Sequence, residues 1–101
     1  MVLKVVIARQ AAEQIRSAAH WWSKNRPLAP DAIAVDFKAA IDLLVLQPHI
    51  GAKCADSSIP ELRRLLLGRV QYFIYYQVQP DVLRVLAFWH SSRAAGPVIK
   101  P

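Results

Sequence analysis

The sequence predicts an α+β fold, a helical hairpin packed on one face of a mainly antiparallel sheet, in the order β-α-α-β-β-β. Three observations predict it. The chain opens on a β-branched run, Val2-Leu3-Lys4-Val5-Val6-Ile7. Apolar residues then recur every three or four positions through two segments separated by prolines. Near residue 60 the period drops to two and stays there to His90.

Each element follows in order. Val2 to Ala8 reads as a buried strand. Residues 11 to 25 read as a helix, because Ala11, Ile15, Ala18 and Trp22 share one helical face. Arg26-Pro27 ends it, since proline disfavours the α region in the residue before it. Residues 31 to 46 form the second helix, with Pro30-Asp31 at its start and Ile33, Phe37, Ile41 and Leu44 on its apolar stripe. The short link makes the two helices an antiparallel hairpin. Residues 49 to 60, with Gly51, Asp56, Ser57, Ser58 and Pro60, read as a loop.

A three-strand meander follows over residues 62 to 90. Leu62 to Leu67 is its first strand, and Gly68-Arg69 a tight turn. In the second strand Val70, Tyr72, Ile74, Tyr76 and Val78 alternate with Gln71, Phe73, Tyr75, Gln77 and Gln79. Pro80-Asp81 is the next turn. Val82 to His90 closes the sheet, with Leu83, Val85, Ala87 and Trp89 expected on one face and Val82, Arg84, Leu86, Phe88 and His90 on the other. Gly96, Pro97 and Pro101 predict an irregular tail over 94–101.

Size and composition narrow the function. A chain of 101 residues has room for one core, so a single domain is expected over 1–101. Apolar residues make up 54 %, which excludes disorder as the dominant state and leaves surplus apolar surface. The longest apolar runs, Tyr72 to Tyr76 and Val85 to Trp89, are far short of the roughly 20 residues of a membrane span. The opening run Met1 to Ile7 is far shorter than a signal peptide with a cleavage site, and the lone Cys54 cannot form an internal disulfide, so a cytoplasmic location is expected. The net charge is +6. From Glu61 onward the bases are Arg63, Arg64, Arg69, Arg84, Arg93 and Lys100, against Glu61 and Asp81. Such a balance serves solubility, or an anionic partner: nucleic acid or an acidic protein segment.

Several catalytic signatures are absent. There is no glycine-rich phosphate loop, nucleophile elbow, HExxH or CxxC. His20, His49 and His90 stand far apart without metal-ligand spacing, so neither a metal nor a cofactor is expected. Cys54 has no spacing that forces His49 against it, and an inert thiol is expected. What remains is the end of the last strand, Phe88-Trp89-His90-Ser91-Ser92-Arg93. An imidazole, two hydroxyls and a guanidinium gather there where strand gives way to loop, a place suited to contact with a partner. Arg63, Arg64 and Arg69 lie on or beside the first meander strand and are candidates for the same surface. The alternative is that Trp89 is core and His90 caps the strand.

These residues resemble the RelE/ParE superfamily of type II toxin–antitoxin toxins. The resemblance covers nearly the whole chain: the opening strand, the alanine-rich helix of Ala8 to Trp22, and Leu44, Pro48 and Gly51 in an LxxxPxxG pattern. It is most specific in Glu61-Leu62-Arg63-Arg64-Leu65, in Tyr72 to Val78, and in Val85 to Arg93. RelE-like members are ribosome-dependent mRNA endonucleases; ParE-like members lack the catalytic basic set and poison DNA gyrase. The strand position where RelE-like toxins carry a catalytic arginine is Phe73 here. Arg64 matches one RelE-like basic position, and Leu66 occupies the next. The ending Trp89 to Arg93 is closer to ParE-like chains.

The resemblance therefore implies a ParE-like toxin, a plasmid-stabilisation protein that inhibits gyrase and is neutralised by a cognate acidic antitoxin. Its target-binding candidates are Arg63, Arg64, Arg69, Trp89, His90 and Arg93. The alternatives are a RelE-like endonuclease, with His90 as its candidate catalytic residue, and a degenerate toxin kept as a binding module. An acidic amphipathic partner also suits a cationic domain with surplus apolar surface. Trp21, Trp22 and Phe37 are candidate anchors for it, although Trp22 and Phe37 suit the core as well.

Overall fold

The computed structural model describes residues 3–55 and 57–99. The expected start of the first strand at Val2, the loop residue Asp56, and Lys100 and Pro101 of the tail lie outside them. The elements are β1 (Lys4–Ile7), α1 (Arg9–Asn25), α2 (Ala32–Leu46), β2 (Ala52–Lys53), β3 (Leu62–Leu67), β4 (Tyr72–Val78) and β5 (Val82–His90). They build an α+β fold with a five-stranded sheet in the order β1-β5-β4-β3-β2. All neighbours are antiparallel except β1 and β5, which run parallel with Lys4 opposite Val82 and Ile7 opposite Val85.

The helices form for the reasons their spacing implies. In α1, Ala11 and Ala18 are buried, and Ile15 and Trp22 pack against the same core. Its start has no side-chain cap; instead the Ala8 N–H donates to the Val85 carbonyl at 2.8 Å, so β1 runs directly into the helix. In α2, Ile33, Ala40 and Leu44 are buried, while Phe37 and Ile41 pack beside them. Asp31 stands just before this helix without capping it through its side chain.

Four details depart from the expected pattern. The stretch 49–60 contains the short strand β2, which pairs Ala52 with Arg64 and Lys53 with Arg63. Two residues are too few to show a period. The turn between β3 and β4 is longer than Gly68-Arg69. Val70 is buried as a plug, and Gln71 takes a left-handed φ of 62° before β4 begins at Tyr72. The pairing of β4 with β5 slips between Tyr75, opposite Ala87, and Tyr76, opposite Val85. Leu86 is the extra residue of this bulge, and it reverses the alternation beyond it. Leu83 and Val85 share one face as expected, and it is the face that meets the helices. Past the bulge Phe88 takes that face, not Ala87, and Trp89 moves to the opposite one. Finally, the irregular tail is packed. Ile99 lies on the sheet face away from the helices with Leu86 and Ala87, and Gln10 Nε2 donates to the Val98 carbonyl at 2.6 Å.

The main core sits between the helices and the sheet, around Tyr76, Phe88, Ile33, Leu44 and Ile74. A smaller cluster on the other face joins Ile59, Leu62, Tyr75, Leu86 and Ala87. Among the described residues no helix is long and apolar enough to cross a membrane.

Candidate functional site

β5 outruns its neighbour. β1 stops at Ile7, opposite Val85, so among the described residues Leu86 to His90 have no strand on that side. Helix α1 fills the gap in part: Gln14 Oε1 accepts the Phe88 N–H at 2.8 Å. Between α1 and the end of β5 lies an open cleft of about 470 Å³, lined by Glu13, Gln14, Ser17 and Trp21 on one side and Tyr72, Phe88, Trp89, His90 and Arg93 on the other.

His90 is held in one orientation. Its Nδ1 accepts the Ser92 N–H at 3.1 Å and lies 2.7 Å from Ser92 Oγ. A backbone amide can only donate, so the neutral ring carries its proton on Nε2. The ring meets Tyr72 edge-on at 4.9 Å, and Tyr72 stacks on Phe88 at 4.7 Å. Burial pushes the Tyr72 hydroxyl above its ordinary range, partly offset by the Arg93 charge. Arg93 lies over the Trp89 ring at 4.0 Å, and Trp89 Nε1 donates to the Ala95 carbonyl. The arrangement offers one imidazole N–H, one guanidinium and aromatic surface. That set recognises carboxylates, carbonyls and apolar side chains.

The other expected target contacts are dispersed. Arg63 turns under β2, donating to the carbonyls of His49 at 2.9 Å and Gly51 at 2.7 Å. Arg69 is clamped by Asp36 of α2, its Nε donating to Oδ2 at 2.9 Å. Arg64 lies on the sheet face away from the helices, over the Phe73 ring at 4.2 Å, with Tyr75 Oη at 3.4 Å. It borders a second cleft of about 770 Å³ between the β2–β3 loop and the tail, with Lys53, Cys54 and Ser58. Burial pushes the Cys54 thiol up, with partial opposition from Arg64. Among the described residues, no three His, Cys, Asp or Glu side chains are placed to hold a metal ion.

Of the three expected anchors, Phe37 packs edge-on against Phe88 in the core, and Trp22 also packs on the core with its buried Nε1 unpartnered. Trp21 is 48 % exposed, lines the cleft and has the Arg26 guanidinium 5.4 Å from its ring. Tyr72 and Gln14 belong to the cleft without having been expected there. Tyr72 reads as one more apolar strand position. Only Gln14, a polar residue beside the apolar stripe of α1, carries a faint signal.

The family model described as "ParE toxin of type II toxin-antitoxin system, parDE" matches residues 5–95, which spans every element from β1 to the Trp89–Arg93 ending. The chain belongs to this ParE toxin family. Among solved structures the toxin is similar to a chain of the "Chromosomal ParDE TA system from P. aeruginosa", with a TM-score of 0.71 and 18 % identity, over 88 % of this chain and 96 % of that one. At that identity the likeness shows the shared fold. Among curated proteins, none matches the toxin by sequence. As a type II toxin it has an antitoxin for a partner.

Proposed function

We propose that the toxin arrests growth in the cytoplasm by inhibiting DNA gyrase, and that Trp89, His90 and Arg93 at the end of β5 make its target contact. The observation that carries this reading is the separation of His90 from Arg64. RNA cleavage by 2′-hydroxyl attack needs a base, an acid and a cation around one phosphate. His90 sits against Tyr72 on the helix side of the sheet, whereas Arg64 sits on Phe73 on the opposite side. Phe73 can neither donate a hydrogen bond nor stabilise charge where a ribonuclease of this superfamily carries arginine. The cleft at β5 has a donor, a cation and aromatic surface, which suits a protein target.

The test is a supercoiling assay with purified gyrase, run beside primer extension on ribosome-bound mRNA. Inhibition with accumulation of cleaved DNA is expected, and His90→Ala should weaken it about tenfold, equivalent to about 1.4 kcal/mol. Codon-specific mRNA cuts by the wild-type toxin that vanish in His90→Ala would overturn the reading in favour of an endonuclease.

A further inference from the structure

The lane of β1 is left unfinished along β5. Strand alternation turns the backbone of Leu83 and Val85 toward β1, and the Val85 carbonyl takes the last bond, from the Ala8 N–H. Past the bulge at Leu86 the same outward role falls to Phe88 and His90, beyond the end of β1. Each has one backbone group engaged. Gln14 Oε1 accepts the Phe88 N–H at 2.8 Å, and the His90 carbonyl accepts the Arg93 N–H at 3.3 Å. Among the described residues the Phe88 carbonyl and the His90 N–H have no partner, and both residues line the cleft between α1 and β5.

What is left open sets a direction. An antiparallel strand exchanges both bonds with a single residue, and neither Phe88 nor His90 has both groups to offer. A parallel strand takes the carbonyl of one residue and the N–H two places on, which is the pair that remains. One residue of an added parallel strand therefore donates to the Phe88 carbonyl and accepts the His90 N–H, opposite Trp89.

Alternation then places the side chains. The bonded residue points to the face of Trp89, where the Arg93 guanidinium lies 4.0 Å from the ring centre. The residue after it points to the face of His90, toward Tyr72 and the exposed Trp21. Among the described residues Arg93 makes no ion pair, whereas Glu13 on the facing helix is engaged with Arg9 at 3.4 Å. An acidic residue followed by an apolar one therefore suits the lane. We propose that gyrase is held by strand addition: an extended acidic–apolar pair of the target continues the line of β1, parallel to β5, with its carboxylate at Arg93 and its apolar side chain on Trp21. The proposal rests on the gyrase reading and says how that target is gripped. A second copy of the toxin has no such pair to spare. Asp31, Asp36 and Asp42 stand at the start of or within α2, and Glu61 and Asp81 lead directly into β3 and β5.

The experiment uses purified gyrase and the full-length toxin with its Trp89–His90 amide replaced by an ester, assembled by chemical ligation from the α-hydroxy analogue of histidine. The ester deletes the His90 N–H and keeps the imidazole, so its effect is separate from that of His90→Ala. Gyrase binding and supercoiling inhibition should both weaken about five- to tenfold. In the wild-type toxin, exchange of the His90 amide should slow at least about tenfold on binding gyrase, and this rate decides should the ester toxin fail to fold. A folded ester toxin that binds and inhibits gyrase like wild type overturns the proposal and leaves the gyrase reading standing. A wild-type toxin that neither binds nor inhibits gyrase overturns both. An ester that spares gyrase and instead weakens the complex with the antitoxin, or a toxin dimer, gives the lane to that occupant and overturns the proposal.

Discussion

Deleting a single oxygen, in Tyr76→Phe, should cost the toxin a substantial part of its stability. Tyr76 is completely buried, and its hydroxyl joins two separate segments. It accepts the Gly51 N–H at 2.9 Å and donates to the Pro48 carbonyl at 2.8 Å, pinning the chain between α2 and β2 to the middle of the sheet. Each such bond contributes about 0.5–1.5 kcal/mol net, so the pair contributes about 1–3 kcal/mol. The upper half of that range is expected, because the substitution leaves the Gly51 N–H buried without a partner. For a domain of this size, about 2 kcal/mol lowers Tm by roughly 8–16 °C.

Urea unfolding reads the loss as a lower midpoint at unchanged slope. A loss below about 0.5 kcal/mol would refute the reasoning, since it would mean that neither bond is sustained in solution. The pH profile adds a second check. Burial raises the Tyr76 hydroxyl above its ordinary value, with smaller opposing effects from the Gly51 N–H bond and the Arg63 charge. A group raised on folding contributes stability below its unfolded pKa, here about 10, and that stability is lost as pH rises through the folded value. Tyr76→Phe should therefore flatten the alkaline fall in stability above about pH 10 relative to wild type. Gly51→Ala attacks the same joint from the other side. Its Cβ would press on the Tyr76 hydroxyl and lie 2.8 Å from Tyr76 Cε1 and 2.9 Å from the Arg64 carbonyl oxygen.

Glu61 holds a left-handed φ of 58°, and among the described residues its carboxylate makes only an exposed contact with Lys53 at 3.6 Å. Glu61→Gly should stabilise the toxin by about 0.5–1 kcal/mol, read as a higher urea midpoint at unchanged slope, since relief of about 1–2 kcal/mol exceeds the added freedom of glycine in the unfolded chain. Burial holds the Cys54 thiol protonated above its ordinary range. Alkylation by iodoacetamide at about pH 8 should be several-fold slower in the native toxin than in the urea-unfolded chain, and equal rates would contradict that environment.

The legible parts of the fold are those that repeat. The α1 stripe from Ala11 to Trp22, the α2 stripe from Ile33 to Leu44, and the strands β3 to β5 each carry several turns of one period. β2 carries none, because its two residues are defined by their partners in β3. The bulge at Leu86 is invisible for another reason: Leu86 and Ala87 are both apolar, so a phase slip between them leaves the pattern apolar on either face. The candidate site divides along the same line. Trp89, His90 and Arg93 are neighbours in the chain and remain neighbours in space. Arg69 meets Asp36 across 33 positions, and Phe88 finds Gln14 across 74, pairings that local spacing does not encode.

The parallel pairing of β1 with β5 ties the first strand to the last. Protein synthesis is vectorial, so β1 leaves the ribosome early and waits for Val82 to Val85 before its hydrogen-bonding partner exists. The Ala8 amide that starts α1 waits for the same strand, through Val85. Closure at such a long sequence separation comes late. A prematurely terminated chain lacking β5 therefore has no seat for β1, no anchor for the start of α1 and no Phe88 to fill the core. Translation that stops before β5 leaves no shortened domain with its sheet intact, and the folded surface exists only once β5 has been made.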